Sequence, residues 1–106
     1  MNSCIKNYWN SEYIKESWIY GLEPTILAKN IVESCKCKIP LKILDIGCGY
    51  GRDTIYYAQN GFVASGIDIS NTAIKQARIL AERNKTKVNY LVGDFLKSRF
   101  KKKLLI

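Results

Sequence analysis

The fold is decided by residues 41–51, which read LKILDIGCGYG. The first six residues form a short, nearly continuous apolar run, which is typical of a strand buried on both faces of a parallel sheet. The glycines that follow permit backbone angles that other residues disfavour, and they let a ligand approach the main chain. A helix is predicted over residues 51–60, with its N-terminal amides facing the same turn. The stretch therefore predicts a strand, a ligand-binding turn and a helix.

The residues after this unit repeat the same order of elements. Residues 62–68 and 88–92 are predicted strands, and Ser70 is a plausible N-cap of a helix that directs Ile74 and Ala77 inward. Strands joined by short connections through helices are parallel, with right-handed crossovers. The predicted fold class is α/β, a Rossmann-like doubly wound parallel sheet. These residues form its three-stranded half, in the order 3-2-1.

Two helices are predicted before the first strand. One covers about residues 24–35 and starts at Glu23-Pro24, with proline in its first turn. Its apolar face is predicted to carry Leu27, Ile31 and Cys35, with Ala28 and Val32 beside them. The other has helical character over residues 12–20 and is expected to end at Gly21.

Composition limits the class of protein. The chain has 106 residues, of which 47% are hydrophobic and 25% charged, and this balance excludes a linker or a disordered tail. No run approaches the roughly 18 apolar residues that cross a bilayer, and the start lacks the pattern of a secretory signal. We expect a cytoplasmic protein without a membrane segment. It comprises an N-terminal helical segment, residues 1–39, and a partial Rossmann-like domain, residues 40–106.

Cysteine and charge give weaker indications. The chain has four cysteines and no histidine, so neither a disulfide framework nor a metal site is predicted. Cys48 lies in the glycine turn and is interpreted as a small apolar filler. The net charge is +8, but five of the basic residues fall in residues 97–103. A solvated surface explains that run, and a nucleic-acid partner remains open.

Each predicted strand ends on an acid: Asp45, Asp68 and Asp94. In doubly wound sheets, ligands bind at the carboxyl ends of the strands, so these carboxylates are expected at one site. A dinucleotide fingerprint would place a third glycine at position 52, where this chain has Arg52. The glycine spacing is instead Gly-x-Gly-x-Gly.

Three motifs together resemble those of class I S-adenosylmethionine-dependent methyltransferases. Residues 44–51, LDIGCGYG, resemble the first motif of that family. Residues 66–70, GIDIS, resemble the second motif, and residues 92–95, VGDF, resemble the third. All three stand in the expected order at the expected strand ends. The aromatic segment around Tyr8, Trp9 and Tyr13 is similar to the lid region of small-molecule members.

The resemblance implies S-adenosylmethionine as cofactor and gives residues roles. Asp68 would accept hydrogen bonds from the ribose hydroxyls, and Asp45 would hold the loop and favour the cofactor's positive charges. The loop residues that would lie against the methionyl and ribose portions are Gly47, Gly49 and Gly51. The adenine would meet the Asp94 carboxylate, the Phe95 backbone amide and the Ile69 side chain. Each acid alone could instead be a helix cap or a loop acid.

The expected function is methyl transfer to a small-molecule acceptor. An inactive cofactor-binding fragment that needs a partner is the first alternative, and a dinucleotide-dependent oxidoreductase is the second. No catalytic residue is assigned, because without histidine nothing singles out a general base. Four large aromatic residues are interpreted as packing residues: Tyr13, Trp18, Tyr56 and Tyr57.

The resemblance covers about the N-terminal half of the family's seven-stranded domain. Its fourth strand lies beside the first, and residues 103–106 resemble the beginning of that strand. The C-terminal strands are then missing, which would leave the first strand as an exposed hydrophobic edge. We therefore expect a truncated product, a fragment or one part of a larger assembly, with self-association through this edge.

Overall fold

A single parallel sheet organises the molecule. The computed structural model describes residues 3–15, 18 and 20–97. Its strands are β1 (Lys42–Ile46), β2 (Val63–Asp68) and β3 (Asn89–Val92), and they lie in the order β1-β2-β3. The parallel register pairs Ile46 with Ile67 and Asp68 with Val92, so the three carboxyl ends meet at one edge. The predicted α/β class and strand order are confirmed.

The two crossover helices, α3 (Arg52–Gln59) and α4 (Asn71–Arg83), connect these strands. The Ser70 hydroxyl accepts the Ala73 amide at 3.0 Å, which confirms Ser70 as the N-cap of α4. Ile74 and Ala77 are fully buried, as the helical periodicity predicts. The strand and helix pattern of residues 41–92 is thus local in origin.

The N-terminal helices differ from the prediction. The first helix, α1, covers Ser3–Lys15, so the prediction of a helix over residues 12–20 is wrong in its bounds. Trp18 has a φ of 59°, a left-handed conformation that cannot continue an α-helix. The second helix, α2, covers Ile26–Cys35 and has Thr25 as its N-cap. Pro24 therefore precedes the cap and does not lie in the first turn.

The buried face of α2 is centred on two residues that were predicted to lie beside the apolar face, and Leu27 is not part of it. Ala28 and Val32 are buried, whereas Leu27 is 67% exposed. Ala28 and Val32 belong to a hydrophobic cluster with Tyr57 and Phe62, so small side chains face the bulky ones. Which side of α2 is buried is therefore set by how well its side chains fit against Tyr57 and Phe62, and not by which apolar side chains are largest.

Strand β1 lies at one edge of the sheet formed by the described residues, and Ile46 at its end is 54% exposed. The predicted fourth strand, residues 103–106, lies outside the described residues, as does most of the basic run. In the part of the chain that the structure describes, no helix is long and apolar enough to cross a membrane.

Candidate functional site

A cavity of about 380 Å³ opens at the carboxyl ends of the strands. Five of the predicted site residues line it: Gly47, Asp68, Ile69, Asp94 and Phe95. The remaining lining is mostly apolar, with Ile46, Ile67 and Leu96 among the contributors. The volume falls in the range of small-molecule sites, which are largely apolar with a few polar groups.

A second cavity, of about 240 Å³, lies on the other side of the glycine loop. Asp45, Gly47 and Gly49 line this cavity, together with the acidic and basic side chains of Asp53 and Arg52. Gly47 and Tyr13 line both cavities. The structure therefore places seven of the eight predicted residues in two adjoining cavities.

Gly51 is the exception, since it contributes to neither cavity as the described residues outline them. Its φ is 83°, and a Cβ atom built at this position would collide with the Tyr90 hydroxyl. Glycine is thus required here by left-handed backbone geometry and by close packing against β3. Its role in the described structure is to shape the loop.

The glycine loop is anchored by its main chain to the neighbouring strand. The amides of Gly47 and Cys48 both donate to the Ile67 carbonyl, at 2.8 and 3.1 Å. Gly47 has a φ of 73°, and a Cβ added there would meet no atom within 4 Å. The backbone at Gly47 therefore faces open cavity space, where a ligand can approach it closely.

Asp68 joins the loop to the start of α4. The residue is 8% exposed, and its carboxylate accepts the Gly49 amide at 2.8 Å and the Ser70 amide at 2.9 Å. This is the structural role that an acid at a strand end can have in any fold. Each carboxylate oxygen can accept more than one hydrogen bond, so Asp68 also retains capacity toward the cavity.

The negative charge of Asp45 is less well stabilised by hydrogen bonds than that of Asp68. The Thr54 hydroxyl donates to Asp45 at 3.1 Å. Burial raises the pKa of Asp45 to about 6, and the charges of Asp53 and Asp68 act in the same direction, against the lowering effect of Thr54. A cationic ligand group in this cavity would favour its ionised form.

Asp94 stabilises the turn after β3. Its carboxylate accepts the Leu96 amide at 2.9 Å, at the start of a short 3₁₀-helix, Phe95–Lys97. This is the loop-acid role that sequence alone left open. The same carboxylate lines the larger cavity, so the two roles are compatible.

Helix α1 closes the site from above the sheet through contacts that sequence analysis missed. The Ser70 hydroxyl donates to the Asn10 side-chain oxygen at 2.6 Å, and the Gln76 amide donates to the Tyr13 carbonyl at 3.0 Å. These contacts link residues more than 59 positions apart. The aromatic content of the segment was the one sequence signal, and Trp9 and Tyr13 do line the larger cavity.

The segment before α2 is attached to the start of α3, directly after the glycine loop. Both Asp53 carboxylate oxygens accept hydrogen bonds from Thr25, one from its amide and one from its hydroxyl, each at 2.7 Å. The Arg52 guanidinium donates to the Tyr20 carbonyl at 2.6 Å. No signal in the sequence marks these partners of Asp53 and Arg52.

Cys48 fills space behind the loop. It is buried, and its sulfur lies against Gly66 of β2, where a Cβ atom would collide with it. Burial raises the pKa of its thiol, so the thiolate is disfavoured. The interpretation of Cys48 as an apolar filler is consistent with this environment.

Comparison with known proteins identifies the family. A family model described as a methyltransferase domain matches residues 43–104. Over 89 residues the chain is 35% identical to a ubiquinone biosynthesis O-methyltransferase of Rickettsia typhi. The match covers 80% of this chain and 35% of that relative, so the chain spans about a third of the length of the relative.

Two solved structures show the same architecture. Magnesium protoporphyrin IX methyltransferase from Synechocystis, with bound SAH, aligns with a TM-score of 0.75 over 91% of this chain and 52% of that one, at 20% identity. The tRNA (uracil-54, C5)-methyltransferase of Pyrococcus abyssi, in complex with S-adenosyl-L-homocysteine, aligns at 33% identity with a TM-score of 0.53. That alignment covers 64% of this chain and 18% of the tRNA enzyme.

Proposed function

This chain belongs to the class I S-adenosylmethionine-dependent methyltransferases, and on that premise we propose that it binds S-adenosylmethionine across its two adjoining cavities. The observation that carries the proposal is the convergence of three strand-end carboxylates on these cavities. S-Adenosylmethionine carries a sulfonium and an ammonium charge, and carboxylates in a partly buried site favour both. The open backbone face of Gly47 leaves room for the ligand between the cavities.

The larger cavity is proposed to hold the adenosyl portion. Asp68 would accept from the ribose hydroxyls with the lone pairs that its backbone partners leave free. Asp94 would accept from the adenine amino group, and the Phe95 amide would donate to the ring. Ile69 is half-buried in the cavity wall, where its side chain would pack on the adenine face.

The smaller cavity is proposed to hold the methionyl portion. Gly47 and Gly49 supply a wall without side chains, and the amides at the start of α3 suit a carboxylate. Asp45 would hold the loop and would favour the ligand's ammonium. Residues 1–39 would close the site as a helical segment over the sheet of residues 40–106.

We propose a small-molecule methyl acceptor, as the name of the Rickettsia relative suggests for that protein. S-Adenosylmethionine supplies an electrophilic methyl group with a good leaving group, so the protein mainly has to position the acceptor and exclude water. Helix α1 covers the larger cavity and contributes to that exclusion. The alternative is a cofactor-binding module without activity of its own. It is supported by the short match, since this chain spans only about a third of the relative's length.

Calorimetry of the full chain tests the binding proposal. We expect saturable binding of S-adenosylmethionine and S-adenosylhomocysteine, no binding of NADH, and at least tenfold weaker binding by Asp68→Ala. The matched control is Glu82→Ala, which removes an exposed acid from α4. Failure of the folded chain to bind either ligand would refute the proposal. If the ligands bind, transfer of a radiolabelled methyl group to phenol acceptors separates an enzyme from a binding module.

A further inference from the structure

Tyr13 occupies a position that the packing interpretation did not anticipate. It is 6% exposed and belongs to a core cluster, so it does pack. It is also one of two residues that line both cavities, the other being Gly47. A ligand that spans the cavities has to pass beside Tyr13 and Gly47, the residues that the two cavities share.

The position of Tyr13 is fixed from several sides. Its hydroxyl lies against Gly49, where an added Cβ would stand 2.7 Å from the Tyr13 Oη. Its ring meets Tyr50 edge to face, with centroids 6.0 Å apart. Its carbonyl accepts the Gln76 amide from α4. The ring is therefore held over the loop by contacts that do not involve a ligand.

The charges around this position are mostly negative. Among the described residues that line the two cavities, four carry carboxylates (Asp45, Asp53, Asp68 and Asp94) and one carries a guanidinium (Arg52). The Arg52 guanidinium already donates to the Tyr20 carbonyl. A positive group between the cavities would thus have an aromatic ring beside it and carboxylates on both sides.

We infer that Tyr13 selects the sulfonium cation of the methyl donor over the neutral thioether of the demethylated product. The inference rests on the proposed function. The sulfonium is the atom that joins the adenosyl and methionyl portions, so it falls at the junction where Tyr13 stands. An aromatic ring attracts a desolvated cation and has no comparable attraction for a neutral thioether. The residue would therefore favour donor binding and product release together.

The test is the ratio of the dissociation constants for S-adenosylhomocysteine and S-adenosylmethionine, measured by calorimetry on the full chain. We expect Tyr13→Leu to lower this ratio about fivefold, which corresponds to about 1 kcal/mol of cation attraction. Tyr13→Phe should keep at least half of the ratio, because it keeps the ring. Tyr56→Leu is the matched control, since Tyr56 is half-buried on α3 and lines neither cavity.

An unchanged ratio in folded Tyr13→Leu would overturn the inference while leaving the proposed function intact. A ratio in Tyr13→Phe as low as in Tyr13→Leu would overturn the assignment to the ring. If neither ligand bound to the wild-type chain, the proposed function would fail first and the inference with it. Circular dichroism establishes folding, and Tyr13→Met replaces Tyr13→Leu if the latter does not fold.

Discussion

The two walls of the candidate site are built in different ways. The loop wall, residues 45–51, is held by main-chain hydrogen bonds to Ile67 and by the Asp68 carboxylate. The α1 wall, Ser3–Lys15, packs Tyr13 into the core cluster and makes its hydrogen bonds to α4 through the side chains of Asn10 and Gln76. Backbone pairing to a buried strand is continuous with the core, whereas single side-chain contacts can break separately.

The difference indicates that the two walls affect different properties of the protein. A substitution in the loop wall should lower the stability of the whole fold, because the loop is hydrogen-bonded to β2 and, through Asp68, to the start of α4. A substitution in the α1 contacts should mainly weaken the retention of a bound ligand. Several residues of α1 are exposed and add little to stability, among them Ile5, Tyr8 and Ile14. Substitutions in each wall can separate global stability from ligand retention.

The largest expected effect comes from Gly51→Ala in the loop wall. A left-handed backbone costs a non-glycine residue about 1 to 2 kcal/mol, and overpacking adds about 1 to 3 kcal/mol. The clash is with Tyr90, whose ring packs against the core cluster and cannot easily withdraw. We expect the free energy of unfolding in urea to fall by about 3 kcal/mol.

Gly21→Ala is the matched control for this prediction. Gly21 has the same φ of 83°, but a Cβ added there would meet nothing within 4 Å. Gly21→Ala should therefore lower the free energy of unfolding only by the cost of the left-handed backbone, about 1 kcal/mol. Equal losses in the two variants would mean that packing against Tyr90 contributes nothing.

A smaller effect, and one that depends on pH, is expected from Asp45→Asn. The pKa of Asp45 is raised from 3.8 to about 6 in the folded protein. The folded state therefore holds this proton more tightly than the unfolded state, and stability falls as the pH rises from about 4 to above 6. The asparagine variant lacks this loss and still accepts from Thr54. It should be more stable than the wild type at pH 7.5 by on the order of 2 kcal/mol.

Urea unfolding at pH 4 and pH 7.5 measures this difference. At pH 4 the Asp45 carboxyl is largely protonated in the folded state and close to its midpoint in the unfolded state, so little of the loss has accrued and the advantage of Asp45→Asn should be small. Glu23→Gln removes a carboxylate whose side chain is 91% exposed, and it serves as the control. A constant advantage of Asp45→Asn at both pH values would contradict burial of the charge as the cause.

The same contrast explains how much could be predicted from sequence. The strands, α3, α4 and the Ser70 cap were predictable because apolar periodicity, glycine and capping residues are local signals. The α1 wall was not, since the bond between Asn10 and Ser70 spans 60 positions. Trp18 adopts a left-handed conformation within a stretch that reads as helical, and its ring packs on Tyr50. Tertiary contacts there override local propensity.

In the candidate site, too, the features that depend on local sequence were predictable and those that depend on long-range contacts were not. The strand-end acids and the glycine turn were predictable because their placement follows from the order of strands and helices. The partners of Arg52 and Asp53 lie about 30 residues upstream and have no signature in the sequence. Tyr13 could be assigned to the core from its aromatic character, but its place between two cavities depends on how α1 docks.

The smallest effect on stability, and the sharpest test of the α1 wall, is expected from Asn10→Ala. The lost hydrogen bond to Ser70 is worth about 1 kcal/mol, because Asn10 is half-buried and water can enter the space that its side chain leaves. Unfolding in urea should change little, whereas hydrogen exchange in α1 should accelerate and bound S-adenosylmethionine should dissociate several-fold faster. Asn7→Ala, an exposed position on the same helix, should change neither rate. If Asn10→Ala instead destabilised the protein as much as Gly51→Ala, α1 would be part of the cooperative core, and the two walls would not differ in kind.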